Sequence, residues 1–129
     1  MAALAPFGGG LGSSGRLCGI LPGALAVIGF TLGKTGPERR DHRAMWKLSH
    51  GMVRRFEEIC REFGGTDCAD IAGVNWKDRK AVRNFYRGGP GSSRSNCVRV
   101  IRAAVLALHD LVAEYLSGQE EAGSSCSPE

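Results

Sequence analysis

Residues 45–63, MWKLSHGMVRRFEEICREF, decide the fold class. Met45, Leu48, Met52, Phe56, Ile59 and Phe63 recur at spacings of 3, 4, 4, 3 and 4, one stripe of a helix with 3.6 residues per turn. Lys47, Arg54, Arg55 and Glu58 fall on the other faces, with Arg39 and Arg40 ahead of them. The pattern predicts a helix from Pro37, a residue suited to a first turn, to Phe63, where Gly64-Gly65 ends it. Cys60 follows Ile59 beside the stripe and reads as a small buried hydrophobe.

Upstream lies LCGILPGALAVIGFTLGK, residues 17–34, without a charge until its last residue. It reads as a helix over 18–33, with Pro22 tolerated in the first turn. A membrane span needs about 20 apolar residues. This segment is shorter and weakened by glycine, so a core helix is expected and a membrane span is not. Gly19, Gly23, Gly29 and Gly33 thin parts of its surface, where another helix could approach closely. Residues 1–16, MAALAPFGGGLGSSGR, form a glycine-rich N-terminal loop. Within it Gly10-Leu11-Gly12-Ser13-Ser14-Gly15 fits G-x-G-x-x-G, but a dinucleotide site needs a strand before it and a βαβ unit around it. MAALAPF is too short for a strand and nothing β-like follows, which leaves a close-packed loop.

Downstream, TDCADIAG (66–73) reads as a short capped helix carrying Cys68, and 77–87 as a short basic helix with Ala81, Val82 and Phe85 inward. RGGPGSSRS (87–95) is a turn-rich break. The last helix should start with Ser95 or Asn96 as N-cap and run to Leu116, with Cys97, Ile101, Val105, Leu108, Val112 and Tyr115 facing in. No segment alternates with period 2. The expected fold is all-α, a small bundle of three main helices plus one or two short ones. It divides into the loop 1–16, a helical domain 17–117 and a tail 118–129 expected to be disordered, in which Cys126 has no periodic context.

At 129 residues the chain is one domain's worth, with a formal net charge of +4. Between Trp76 and Arg102 lie eight Lys/Arg against one acid; after Arg102 there are five acids and no base. That basic stretch, with Trp76, Phe85 and Tyr86 interleaved, could meet an anionic ligand. No nucleic-acid motif accompanies it, so a solvated helix face is the simpler reading and a nucleic-acid partner is not expected. His42, His50 and His109 lack companions at metal-ligand spacing, and no Ser-His-Asp or paired-carboxylate arrangement can be argued.

The five cysteines are Cys18, Cys60, Cys68, Cys97 and Cys126. Their odd number, and the lack of a basic region ahead of an apolar stretch at the N-terminus, argue against a secreted disulfide scaffold and for a reducing, cytoplasmic setting. No C-x-x-C occurs. Cys18, Cys68 and Cys97 each fall at an expected helix start, where the dipole and free amides should lower a thiol pKa. If those starts meet, the thiolates could converge on a metal or cluster, or a pair could form a disulfide.

Cys18-Gly19-Ile20-Leu21-Pro22-Gly23, preceded by FGGGLGSSGR and followed by ALAVIG, resembles the CGAxxG motif of the C_GCAxxG_C_C family, small proteins taken to be redox-active because of their cysteines. Ile20 stands where the motif has alanine. FEEICREFGGTDCADIAG resembles the family's phenylalanine-glycine pair and following cysteine, which falls on Cys68, and the cysteine opening the last helix falls on Cys97. The resemblance covers roughly residues 7–111. It implies redox activity with Cys18, Cys68 and Cys97 as the reactive groups, through thiol–disulfide chemistry or as ligands of an iron–sulfur cluster or other metal in electron transfer. Gly10, Gly12 and Gly19 would then bring backbone amides near sulfur or a cofactor. The family carries a further cysteine on a helix upstream of the glycine loop, and residues 1–17 contain none. Cys60 could replace it only by facing the same pocket. A redox partner protein and self-association are the expected interactions, and a non-catalytic helical module for an anionic or protein partner is the alternative.

Overall fold

The computed structural model describes residues 2–37, 39–89 and 92–124, with side chains as far as residue 119. The 45–63 stripe becomes the buried face of helix α2 (Arg43–Cys60), where Met52, Phe56 and Cys60 expose no surface. This helix starts at Arg43 and not at Pro37. His42 keeps an extended backbone, and its Nδ1 accepts a hydrogen bond from the Ala44 amide at 3.1 Å, capping the first turn. After Cys60 the chain tightens into a 3₁₀ turn, Arg61–Phe63, and stops at Gly64.

The apolar segment forms helix α1 (Ile20–Leu32), with Gly19 as N-cap and Pro22 in the first turn. Leu21, Ala24 and Ile28 enter the core it shares with α2 and with α5 (Arg94–Ser124). Its other side is open: Phe30 is 85% exposed, and nothing among the described residues approaches Gly23 or Gly29. Among the described residues no helix is long and apolar enough to cross a membrane. Two short helices complete the set, α3 (Cys68–Ala72) and α4 (Arg79–Arg87). Asp78 caps α4 by accepting from the amides of Lys80 and Ala81 at 2.9 and 3.3 Å. The fold is all-α, three long helices packed together with two short ones beside them.

Three sequence expectations need correction. On α5 the buried positions are Val100, Ala104 and Leu111, whereas Ile101 and Val105 are 46% and 59% exposed. Apolar residues occupy most positions from Cys97 to Leu108, so periodicity there does not single out one face. The helix also continues past Leu116 to Ser124, through glutamine, glutamate and alanine, which are good helix formers. Residues 125–129, Cys126 among them, lie outside the described residues. Finally, the N-terminal region is not all loop: Ala2–Phe7 form a 3₁₀ helix.

Two ion pairs tie α5 to the end of α2 and the turn after it. Arg55 meets Glu114 at 3.0 Å, and Arg99 meets Glu62 at 2.7 Å while lying 5.5 Å over the Phe63 ring. Exposed pairs of this kind contribute at most about 1 kcal/mol each. The core cluster of Leu21, Ile28, Met52, Phe56, Val100 and Leu111 carries more of the stability.

Candidate functional site

The chain around Cys18 is fixed by backbone, not by side chains. Leu17 and Asp67 form an isolated antiparallel bridge. The Cys18 amide donates to Thr66 O at 2.9 Å, the Cys68 amide to Arg16 O at 2.7 Å, and the Ala69 amide to Gly15 O at 2.9 Å. The segment before α1 is thereby laced to the segment that opens α3, and two cysteines 50 positions apart in sequence are brought into one region. Cys97, in the first turn of α5, completes the group.

Gly10 and Gly19 explain how the loop fits beneath them. Gly10 has φ of +75°, and a Cβ there would collide with the Arg16 backbone and come within 2.7 Å of Cys68 Cβ. A Cβ on Gly19 would strike the carbonyl of Phe7. What presses on both glycines is the chain itself, while Gly12 faces open space. Four of the loop's amides are occupied: Leu11, Gly12, Ser13 and Gly15 donate to Phe7, Pro6, Gly8 and Gly9. The amide that reaches sulfur is the one at the start of α1, from Ile20 to Cys18.

Cys18, Cys68 and Cys97 line one pocket of about 490 Å³ with Gly10, Gly19 and Phe7. Trp76, Phe85 and Tyr86 form one wall, packed edge to face with ring centroids 5.4–6.1 Å apart. These aromatics, which sequence left as a feature of the basic stretch, therefore engage one another beside the sulfurs. Arg94 stands at the rim and donates to Tyr86 O at 3.2 Å. Ile101, exposed on α5, borders the opening. Cys18 and Cys68 are buried, whereas Cys97 is only half-buried.

The thiols are not activated in the way their helix starts suggested. Burial pushes all four described cysteines above the ordinary thiol range, because the thiolate is the form that desolvation disfavours. Cys68 is pushed up to about 12, by burial first and then by its proximity to Cys18, Cys97 and Asp67. Cys60 rises to about 11, through burial and the nearness of Cys18. For Cys18 burial also dominates, opposed by the Ile20 amide and aided by Cys97. Cys97 is raised by burial too, but its own amide and the charge of Arg94 oppose the rise. At Cys18 and Cys97 desolvation outweighs the backbone amides that favour the thiolate.

Three sulfurs on one pocket do not make a ligand set. Among the described residues no group of three or more His, Cys, Asp and Glu side chains could hold a metal ion. The histidines do not supply the lack: His42 caps α2 and lies edge-on to Tyr115, and His109 sits exposed beside Asp110. An iron–sulfur cluster takes thiolates, usually four, and the described residues do not gather such a set. Cys60 was missed as a neighbour of Cys18. Its stripe position signalled burial, but only the tertiary packing puts it in the cluster that holds Cys18.

No curated protein and no solved structure was found to match the chain. One family model, described as "putative redox-active protein (C_GCAxxG_C_C)", matches residues 1–111. With its motif cysteines on one pocket and the match spanning most of its length, the chain belongs to the C_GCAxxG_C_C family.

Proposed function

We propose that the protein is a thiol–disulfide redox module in which Cys97 exchanges with a disulfide of a partner protein and Cys18 resolves the product. The observation that carries this reading is the shared pocket: three cysteines from separate parts of the chain open into it, one of them accessible. Cys97 is the outer thiol, with Arg94 and a backbone amide favouring its thiolate. Cys18 suits the resolving role better than Cys68, because the Ile20 amide stabilises its thiolate while every neighbour of Cys68 opposes ionisation.

The chemistry balances with the partner disulfide as the only co-reactant. Cys97 loses its proton to solvent and its thiolate attacks one partner sulfur, breaking the partner S–S bond and releasing one partner thiolate. Cys18 then loses its proton to solvent, its thiolate attacks Cys97 Sγ in the mixed disulfide, and the second partner thiolate leaves. A Cys18–Cys97 disulfide remains, two electrons have passed to the partner, and both released thiolates take up protons. Val98, Ile101 and Val105, exposed along α5 beside Cys97, offer the partner an apolar face. The same face supports self-association, which sedimentation can measure, and a reducing compartment such as the cytoplasm would keep the thiols available.

Trapping tests the reading. With a small disulfide as substrate, Cys97→Ser should abolish turnover, and Cys18→Ala combined with Cys68→Ala should stall with the substrate half attached to the tryptic peptide 95–99. Turnover that survives Cys97→Ser would overturn it.

A further inference from the structure

Cys60 is the one described cysteine that does not line the pocket. It closes α2 with no exposed surface, and it belongs to the same buried cluster as Cys18. Both positions are held firmly. The turn that leaves Cys60 ends at Thr66, whose carbonyl accepts the Cys18 amide at 2.9 Å, so the backbone itself keeps the end of α2 beside the segment before α1. Electrostatics rank the neighbours in the same order. Charge on Cys18 raises Cys60 and Cys68, and charge on Cys97 raises Cys18 and Cys68, so Cys18 is the thiol coupled electrostatically to all three others.

We propose that Cys60 is a second-stage resolving cysteine, which takes Cys18 out of the Cys18–Cys97 disulfide and gives the protein room for two disulfides, Cys18–Cys60 in the core and Cys68–Cys97 at the pocket. This inference rests on the thiol–disulfide reading above and extends it. The Cys60 thiolate attacks Cys18 Sγ; the Cys18–Cys60 bond forms, the Cys18–Cys97 bond breaks, and Cys97 leaves as a thiolate that takes up the proton Cys60 lost. No electrons enter or leave in this step. Cys97 is then free to attack a second partner disulfide, and Cys68, packed under Gly10 at the same pocket, resolves that one. Forming each disulfide releases two electrons to a partner, so the capacity of the reduced protein doubles.

The transfer has a pH signature. Cys60 ionises only near pH 11, so the thiolate is scarce at neutral pH and the inward step is slow. Its rate should rise about tenfold per pH unit up to that value, in proportion to the thiolate fraction.

Trypsin separates the participants, placing Cys18 in peptide 17–34, Cys60 in 56–61, Cys68 in 62–77, Cys97 in 95–99 and Cys126 in 103–129. Reduced wild-type protein would be oxidised with excess small disulfide, quenched with acid at intervals, alkylated, digested and mapped by mass spectrometry. The expected course is 17–34 linked to 95–99 first, replaced by 17–34 linked to 56–61 together with 62–77 linked to 95–99. Cys60→Ala should halve the final number of disulfides and leave the first linkage in place. A wild-type end state holding only the 17–34/95–99 linkage, with 56–61 still a free thiol, would overturn this inference while leaving the proposed function standing. Absence of any intramolecular linkage would overturn the proposed function itself.

Discussion

The seam between α2 and α5 and the cysteine pocket at the bundle's end are held by different means. Along the seam, large side chains do the work: Met52 and Phe56 of α2 are sealed against Val100 and Leu111 of α5, with the Arg55–Glu114 pair outside. At the pocket, small groups and backbone do it. Cys18, Cys68, Gly10 and Gly19 pack against main chain, and three amide-to-carbonyl bonds lace residues 15–18 to 66–69. Side-chain burial gives the seam most of the molecule's stability, since each buried apolar side chain contributes roughly 1.5–3 kcal/mol. The backbone lacing instead fixes where sulfurs sit. A domain can therefore keep its fold while its chemistry changes, and the two regions should fail separately.

The largest effect that would test this separation is at the seam. Phe56→Ala should destabilise the protein by about 3–5 kcal/mol, the usual cost of deleting a sealed aromatic side chain, as measured by denaturant unfolding. Provided the variant remains folded, Cys97 should still exchange with a small disulfide. A loss of exchange in folded Phe56→Ala protein would break the distinction between the regions.

A smaller effect comes from pH and reports on the sulfurs. Thiols ionise near 8.5 in an unfolded chain, whereas folding raises Cys60 to about 11 and Cys68 to about 12. Above about pH 8.5 the unfolded chain binds fewer protons than the folded one, so stability is complete below that pH and is lost as pH rises towards the folded values. Each of these thiols should contribute a slope of about 1.4 kcal/mol per pH unit in that window. The thermal midpoint of a Cys60→Ala variant should fall less steeply with alkaline pH than that of the wild type. Equal slopes would mean that the core thiol is not protected by burial.

The sequence was most informative where one face of a helix is apolar and the rest is not. The stripe from Leu48 to Phe56 has polar, small or charged neighbours on most other sides, so its burial could be read directly. On α5 the signal is degenerate, because Cys97, Val98, Val100, Ile101, Ala103, Val105 and Leu106 point all round the helix and only packing against α1, α2 and α3 chooses Val100 and Ala104. Sequence favours Pro37 as the start of α2 because proline is a familiar opening residue, whereas the cap is His42, a local contact from a residue outside the usual Ser, Thr, Asp and Asn caps. Cys18, Cys68 and Cys97 were identifiable as a group from their place at helix starts. The sign of their pKa shift was not, since it depends on how deeply each sulfur is covered. Trp76 as a pocket wall and Cys60 as a neighbour of Cys18 had no local signal at all.

The central claim is a gradient of thiol access, from Cys97 at the pocket mouth through Cys18 and Cys68 to Cys60 in the core. Site-resolved alkylation of the reduced native protein tests it most directly. Iodoacetamide would be added at neutral pH and the four tryptic peptides followed by mass spectrometry over time. The account predicts modification of 95–99 first, 17–34 and 62–77 much later, and 56–61 only when the protein unfolds. Modification of 56–61 or 62–77 at the rate of 95–99 in folded protein would contradict it.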